Sequence, residues 1–224
     1  EMVQFHQSYS YEDFVQGIRP SEEGGFERKN GIFFDFCSKA RRSPDQQFVF
    51  IIDEINRGNI SKILGELMML IEADKRKKQY AIKLTYSNED DERFFVPENV
   101  YLIGCMNTAD RSLAIVDYAL RRRFRFCPIK PEFNEAFIRF LKEKGISQEN
   151  AELVVSKVKA ANEVISCIDR GLEIGHSYFC QTDGCEDFSA WWNDICEYEL
   201  FPYLREICFD DEDKYELICN KLKF

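Results

Sequence analysis

No stretch of the 224 residues approaches the 18 or so consecutive apolar positions of a membrane-spanning helix. The opening EMVQFHQSYS also lacks the basic-then-apolar layout of a signal peptide, so a cytoplasmic protein with no membrane association is expected. Proline (6) and glycine (11) are too scarce for a collagen-like or low-complexity chain. No two of the nine cysteines stand in a C-x-x-C pair, which excludes the common zinc knuckles, and their odd number fits reduced, mostly buried thiols. His176, Cys180 and Cys185 form the one alternative metal set, at a spacing foreign to those knuckles. No glycine is followed by lysine, so the loop G-x-x-x-x-G-K-[ST], whose N–H groups and lysine cradle phosphates, is not in the chain. Positive charge is in deficit: 30 basic against 40 acidic side chains leave a net charge of -10, which argues against a surface attracting nucleic acid as a whole.

What is present describes a packed protein. The chain is 45% hydrophobic and 14% aromatic, with 20 phenylalanines to bury. Acidic residues crowd the C-terminal part, from Glu186 to Glu216, and read as a solvated face. Positive charge gathers at Lys75 to Lys78 and at Arg121 to Arg125. The first cluster reads as a solubilising surface, with a face toward DNA or a pore as the alternative.

Residues 1–130 alternate strand-like and helix-like segments, whereas 131–224 carry helical periodicity, so an α/β domain followed by a small helical domain is expected. Val3 to Phe5 ends a strand, YEDFVQGI is a short helix, Gly24-Gly25 marks a loop, and a helix covers Ile32 to Arg42. FVFIID, Phe48 to Asp53, is an uninterrupted apolar run closed by a carboxylate, which predicts a parallel strand covered on both faces. One helix is expected from Ile60 to Glu72, a hairpin from Gln79 to Val96, a strand from Val100 to Asn107, a short helix from Ser112 to Ala119 and a strand at FRFCPI. Helices are then expected from Phe133 to a stop at Gly145, from Gln148 to Cys167, from Phe188 to Cys208 and from Asp213 to Lys221, with a break at GHSYF.

The chemistry concentrates where strands end. Asp53 and Glu54 close one buried strand, and Asn107, followed by Thr108 and Asp110, closes another. In open parallel sheets ligands bind beyond the carboxyl ends of the strands, where carboxylates hold Mg2+ and polarise a water. Taken alone, Asp53-Glu54 reads first as a helix N-terminal cap and its neighbour; a second polar strand end beside it shifts the balance toward a crevice. The run Arg121-Arg122-Arg123 adds cations of the kind that stabilise charge developing in phosphoryl transfer.

FVFIIDEINRGNISKILGELMMLIEADKR, VPENVYLIGCMNTADRSLAIVDYALRRRF, IGHSYF and the start FHQSYSYEDFVQGIRP, in this order, resemble the McrB family of AAA+ GTPases from modified-cytosine restriction systems. The resemblance covers nearly the whole chain. It implies an AAA+ P-loop NTPase-like parallel sheet with a small all-α lid. Asp53 is then the Walker B ligand of Mg2+ through water, Glu54 the base orienting the attacking water, and Asn107 the sensor near the γ-phosphate. Asn107 to Asp110 match the family's NTAD signature, Arg122 and Arg123 its arginine-finger region, and Arg111 an assisting arginine. The Tyr80 to Val96 hairpin matches the insertion of the dynein-related and MoxR-like branch, and His176 to Phe179 fall in the lid. Implied partners are GTP (or ATP), Mg2+, further copies in a hexameric ring, a McrC-like endonuclease subunit, and DNA held through a domain outside this chain. The missing phosphate loop departs from the pattern; with Glu1 in place of an initiator methionine, the chain is expected to be a piece whose phosphate loop lies upstream, inactive by itself. Two alternatives stand beside this reading, an ATP-driven remodeller of the MoxR and dynein-related branch and a non-catalytic oligomerisation scaffold.

Overall fold

The computed structural model describes residues 1–107, 118–182, 187–209 and 211–223. The chain divides into two compact units, Glu1–Phe126 and Cys127–Phe224.

The first unit is built on a parallel sheet. Strand β1 (Met2–Gln4) leads to the one-turn helix α1 (Tyr11–Phe14), which Ser10 caps in a capping box with Asp13. A hairpin follows, β2 (Gln16–Pro20) against β3 (Phe26–Asn30), turned at Gly24-Gly25 with φ of 94° and 82°. Helix α2 (Ile32–Arg42) buries Phe33, Phe36, Cys37 and Ala40 along one face. Strand β4 (Phe48–Asp53) then enters the sheet, followed by α3 (Ile60–Leu64), α4 (Leu67–Leu70), β5 (Val100–Gly104) and α5 (Tyr118–Arg121). The strand order is β1-β4-β5, all parallel, with Val3 opposite Ile52 and Phe50 opposite Leu102.

Beneath the sheet lies an aromatic core. Phe14 and Phe33 stack at 4.9 Å, and Phe33 and Phe36 each meet Phe50 edge-on, at 5.2 and 5.0 Å. Each such buried ring contributes about 2 to 3 kcal/mol of transfer free energy. The other face of the sheet differs from expectation, since Val49 is 41% and Ile103 47% exposed. Among the described residues, the apolar run of β4 is therefore covered on one face only.

Local corrections have local causes. The expected helix from Ile60 to Glu72 breaks into α3 and α4 at Gly65, whose φ of 49° and ψ of -126° no helical residue adopts. The expected hairpin from Gln79 to Val96 is reduced to one antiparallel bridge, Ile82 with Phe94, because polar Asn88 to Glu92 form turns instead of a ladder. FRFCPI forms no strand: among the described residues no neighbouring strand offers it a ladder, and Phe126 and Ile129 stand exposed. The expected helix from Ser112 lies mostly outside the described residues.

The second unit holds α6 (Glu135–Glu143), α7 (Gln148–Ile168), α8 (Phe188–Asp194), α9 (Phe201–Cys208) and α10 (Glu212–Leu222). Side-chain oxygens of Asn134, Ser147, Asp187 and Asp211 cap α6, α7, α8 and α10. A π-helical stretch, Ile195–Leu200, joins α8 to α9 just before Pro202, which cannot donate to the preceding turn. Trp192 is fully buried, stacks on Phe179 at 5.8 Å and donates its indole N–H to the Leu222 carbonyl at 3.1 Å. Buried Asn162 exchanges two hydrogen bonds with the Ile174 backbone. The eight described cysteines are free thiols, but only Cys37, Cys196, Cys208 and Cys219 are buried; Cys105, Cys127 and Cys167 are exposed because they sit on surface segments rather than on core faces. Cys185, needed for the alternative metal set, lies outside the described residues.

Candidate functional site

The carboxyl ends of β4 and β5 meet side by side. Asp53 is the last residue of β4 and, by register, shares the open face of the sheet with Val49 and Ile103. The chain then turns sharply, with Glu54 held left-handed at φ 49° and ψ 43°. A non-glycine residue in that region costs about 1 kcal/mol or more and persists where the surroundings impose it. Here they do: the Ile55 N–H donates to the Cys105 carbonyl at 2.9 Å, and the Cys105 N–H donates to the Ile52 carbonyl at 2.8 Å. Gly104 makes this approach possible, because a Cβ there would lie 2.7 Å from Ile55 Cδ1.

The turn leaves acceptors without donors. Glu54 Oε2 is buried and receives no hydrogen bond from the described residues. Arg57 Nε stands 3.1 Å from it, an ion pair by distance whose N–H is not aimed at the oxygen, so the attraction is one of charge. Asn56, also buried, donates its Nδ2 to the Asn107 carbonyl at 3.4 Å, while its Oδ1 is a second buried acceptor with no partner. Buried acceptors normally find donors, and two orphans beside Asp53 suit a hydrated cation or a water whose protons they receive. The donor set is all oxygen, matching a hard cation such as Mg2+.

The arginines divide. Arg123 is drawn into its own unit: Nε donates to the Met68 carbonyl at 2.6 Å, Nη2 pairs with Glu72 at 2.6 Å, and only 15% of the side chain is exposed. Arg122 is exposed and forms no ion pair among the described residues, and Arg121 lies over the Phe126 ring at 5.6 Å. Asp110 and Arg111 lie outside the described residues, so Asp53, Glu54 and Asn107 are the residues brought to one end of the sheet. Asn56 and Glu72 were not assigned roles from sequence. Asn56 stands in the polar run Asn56-Arg57-Gly58-Asn59, where nothing sets it apart from its neighbours, and nothing local signalled Glu72.

Residues 1–124 match the model of the AAA domain, dynein-related subfamily, and residues 154–216 match the McrB alpha-helical lid domain. The chain belongs to the McrB-type AAA+ proteins. It is 52% identical over 228 aligned residues to the type IV methyl-directed restriction enzyme EcoKMcrB subunit of Escherichia coli K12, covering 99% of this chain and 50% of that one. It is 27% identical over 128 residues to the type II restriction enzyme BsuMI component YdiS of Bacillus subtilis 168, covering 53% of this chain and 37% of that one. The chain thus spans half or less of the curated relatives it matches. A solved Cytophaga hutchinsonii protein described as a possible ATPase shares 11% identity at a TM-score of 0.34 over 97% of this chain and 66% of its own, a likeness too loose to bear on the fold. In the AAA+ frame the parallel sheet is the AAA core, and the second unit holds the lid. Among the described residues no helix is long and apolar enough to cross a membrane.

Proposed function

We propose that this chain carries the hydrolytic half of a nucleoside triphosphatase site, working on GTP with Mg2+ in the motor subunit of a restriction system. The observation that carries the reading is the buried, hydrogen-bond-free Oε2 of Glu54 at the end of β4, beside the Asn56 bridge to Asn107. An acceptor so placed takes a proton from a water attacking the γ-phosphorus as the bond to the leaving β-phosphate oxygen breaks. Asp53 would hold Mg2+ through water, and the ion, when bound, neutralises charge on the phosphate oxygens. Asn107 would donate to the γ-phosphate, and by the resemblance Asp110 and Arg111, which follow it in sequence, would assist. Exposed Arg122 is free to enter the site of a neighbouring copy in a ring, taken as hexameric, whereas Arg123 serves from within. GTP is preferred to ATP because Asn107 to Ser112 resemble the McrB signature.

The same resemblance supports a McrC-like endonuclease partner, and DNA translocation and cleavage by the whole assembly, with modified DNA read by a domain outside this chain. A phosphate-gripping loop would have to come from outside these residues, so the chain alone should not turn nucleotide over. The test is magnesium-dependent hydrolysis of GTP and ATP by a protein extended to the length of its curated relatives, with and without a McrC-type subunit. GTP turnover raised by that subunit supports the reading. A preference for ATP moves the protein to the remodelling branch, and no turnover of either nucleotide favours a scaffold.

A further inference from the structure

At the opposite pole of the sheet, where β4 and β5 begin, lies a groove of about 820 Å3 lined in part by Arg41, Asp45, Arg76, Lys78, Phe95 and Tyr101. Its walls are fixed. Asn99 Nδ2 donates to the carbonyls of Ala40, Ser43 and Gln46 at 3.1, 3.0 and 2.8 Å, tying the end of α2 to the entry of β5. Arg41 lies over the rings of Phe94 and Phe95 at 5.6 and 5.4 Å.

Arg76 is the unusual member. It is half-buried, with Nε donating to the Ile71 carbonyl at 2.9 Å and Nη1 to the Val100 carbonyl at 2.6 Å. Its Nη2 has no partner and no carboxylate pairs with it among the described residues. Burial lowers its pKa, opposed only by the neighbouring Cys37 and Tyr101. Within the groove Lys77 pairs with Glu98 at 3.9 Å, and the preceding Lys75 pairs with Asp74 at 2.9 Å. Arg41 and Lys78 form no ion pair among the described residues, so three unpaired cations face one unpaired carboxylate, Asp45. A cluster serving only solubility would extend its cations into water. Here a guanidinium is partly desolvated and pinned by two carbonyls without a counter-charge, a cost that an incoming anion offsets.

We propose that this groove seats the phosphate backbone of DNA, with Arg76 Nη2, Arg41 and Lys78 as its phosphate contacts. A planar guanidinium fork suits phosphate oxygens, cations drawn from two chain segments suit a polymer of evenly spaced charges, and the proposal rests on the reading of this chain as part of a DNA-directed enzyme. Binding is then independent of base sequence and of the modification read elsewhere.

The test titrates a fluorescein-labelled, unmodified duplex of random sequence with the 224-residue chain at graded low salt, following anisotropy. Lys78→Glu and Arg41→Gln are each expected to weaken binding at least about fivefold and to reduce the slope of log K against log salt by about one, with the melting temperature unchanged for Lys78→Glu and lowered by a few degrees at most for Arg41→Gln, which gives up its contacts with the Phe94 and Phe95 rings. Arg76→Gln is included with its melt, since it also removes two structural hydrogen bonds. Absence of duplex binding at low salt, or equal binding by the Lys78 and Arg41 variants, overturns the proposal, as does capture of poly-glutamate or pyrophosphate with duplex left unbound. DNA-free turnover in the longer protein carrying Lys78→Glu stays at the wild-type rate. Failure of the groove thus appears in binding and failure of the hydrolytic reading in turnover.

Discussion

Arg123 is bound on two sides by its own unit, through the Met68 carbonyl and the Glu72 carboxylate, each at 2.6 Å. Its neighbour Arg122 points to no such partner, so two consecutive arginines of one motif are assigned different work. Arg123→Ala is expected to cost about 1 to 2 kcal/mol, since it leaves a half-buried carboxylate and a carbonyl without their donor. Arg122→Ala should stay within about 0.5 kcal/mol of wild type. Urea unfolding of the two variants checks this, and equal losses contradict the division.

Gly65 is the break between α3 and α4, with φ +49° and the Tyr11 ring 3.1 Å from where a Cβ would sit. Gly65→Ala should destabilise the first unit by about 1 to 3 kcal/mol through backbone strain and crowding against the Tyr11 ring, read as a lower urea midpoint at unchanged slope. A neutral effect would mean that the segment relaxes into the continuous helix its periodicity suggests.

Asn56 ties the turn after β4 to the Asn107 backbone. In the longer protein, Asn56→Ala should lower turnover roughly 10- to 100-fold by loosening that geometry, while the melt falls by only a few degrees for one hydrogen bond of about 1 kcal/mol. Turnover that falls only in proportion to the folded fraction would make Asn56 merely structural.

Tyr203 donates its hydroxyl to the Leu172 carbonyl at 2.7 Å. Burial, with Tyr178, Glu206 and Asp169 adding to it, pushes its pKa up to about 12. A pKa raised on folding stabilises the folded form below the unfolded value of about 10 and loses that stability as pH climbs toward 12. Thermal melts from pH 8 to 11 should therefore decline, and Tyr203→Phe should start lower at pH 8 and decline less steeply. Parallel curves for the two proteins would contradict the assignment.

Legibility followed burial. Phe48 to Asp53 and Val100 to Gly104 were readable as strands because their apolar runs are continuous, and α6 because Phe133, Phe137 and Leu141 recur to a glycine stop. The β2–β3 hairpin was not, for its second strand is exposed throughout and carries no alternation; Gly24-Gly25 was the one available sign. Ile63, Leu64, Leu67 and Leu70 keep helical spacing across Gly65, so periodicity hid the break. FRFCPI has strand chemistry, but a strand exists only beside another. At the site, Asp53, Glu54 and Asn107 stood out as polar ends of apolar runs. The partner of Arg123, 51 positions away in Glu72, depends on tertiary placement that spacing does not encode.

Glu54 is proposed as the base of a nucleoside triphosphatase. Its most direct test is Glu54→Gln in a protein of the relatives' full length, with turnover and equilibrium nucleotide binding measured on the same preparation. The amide keeps the shape but loses the proton acceptor, so turnover should fall by about 10²- to 10⁴-fold while affinity for nucleotide stays within about twofold. Turnover at the wild-type rate would remove Glu54 from the reaction.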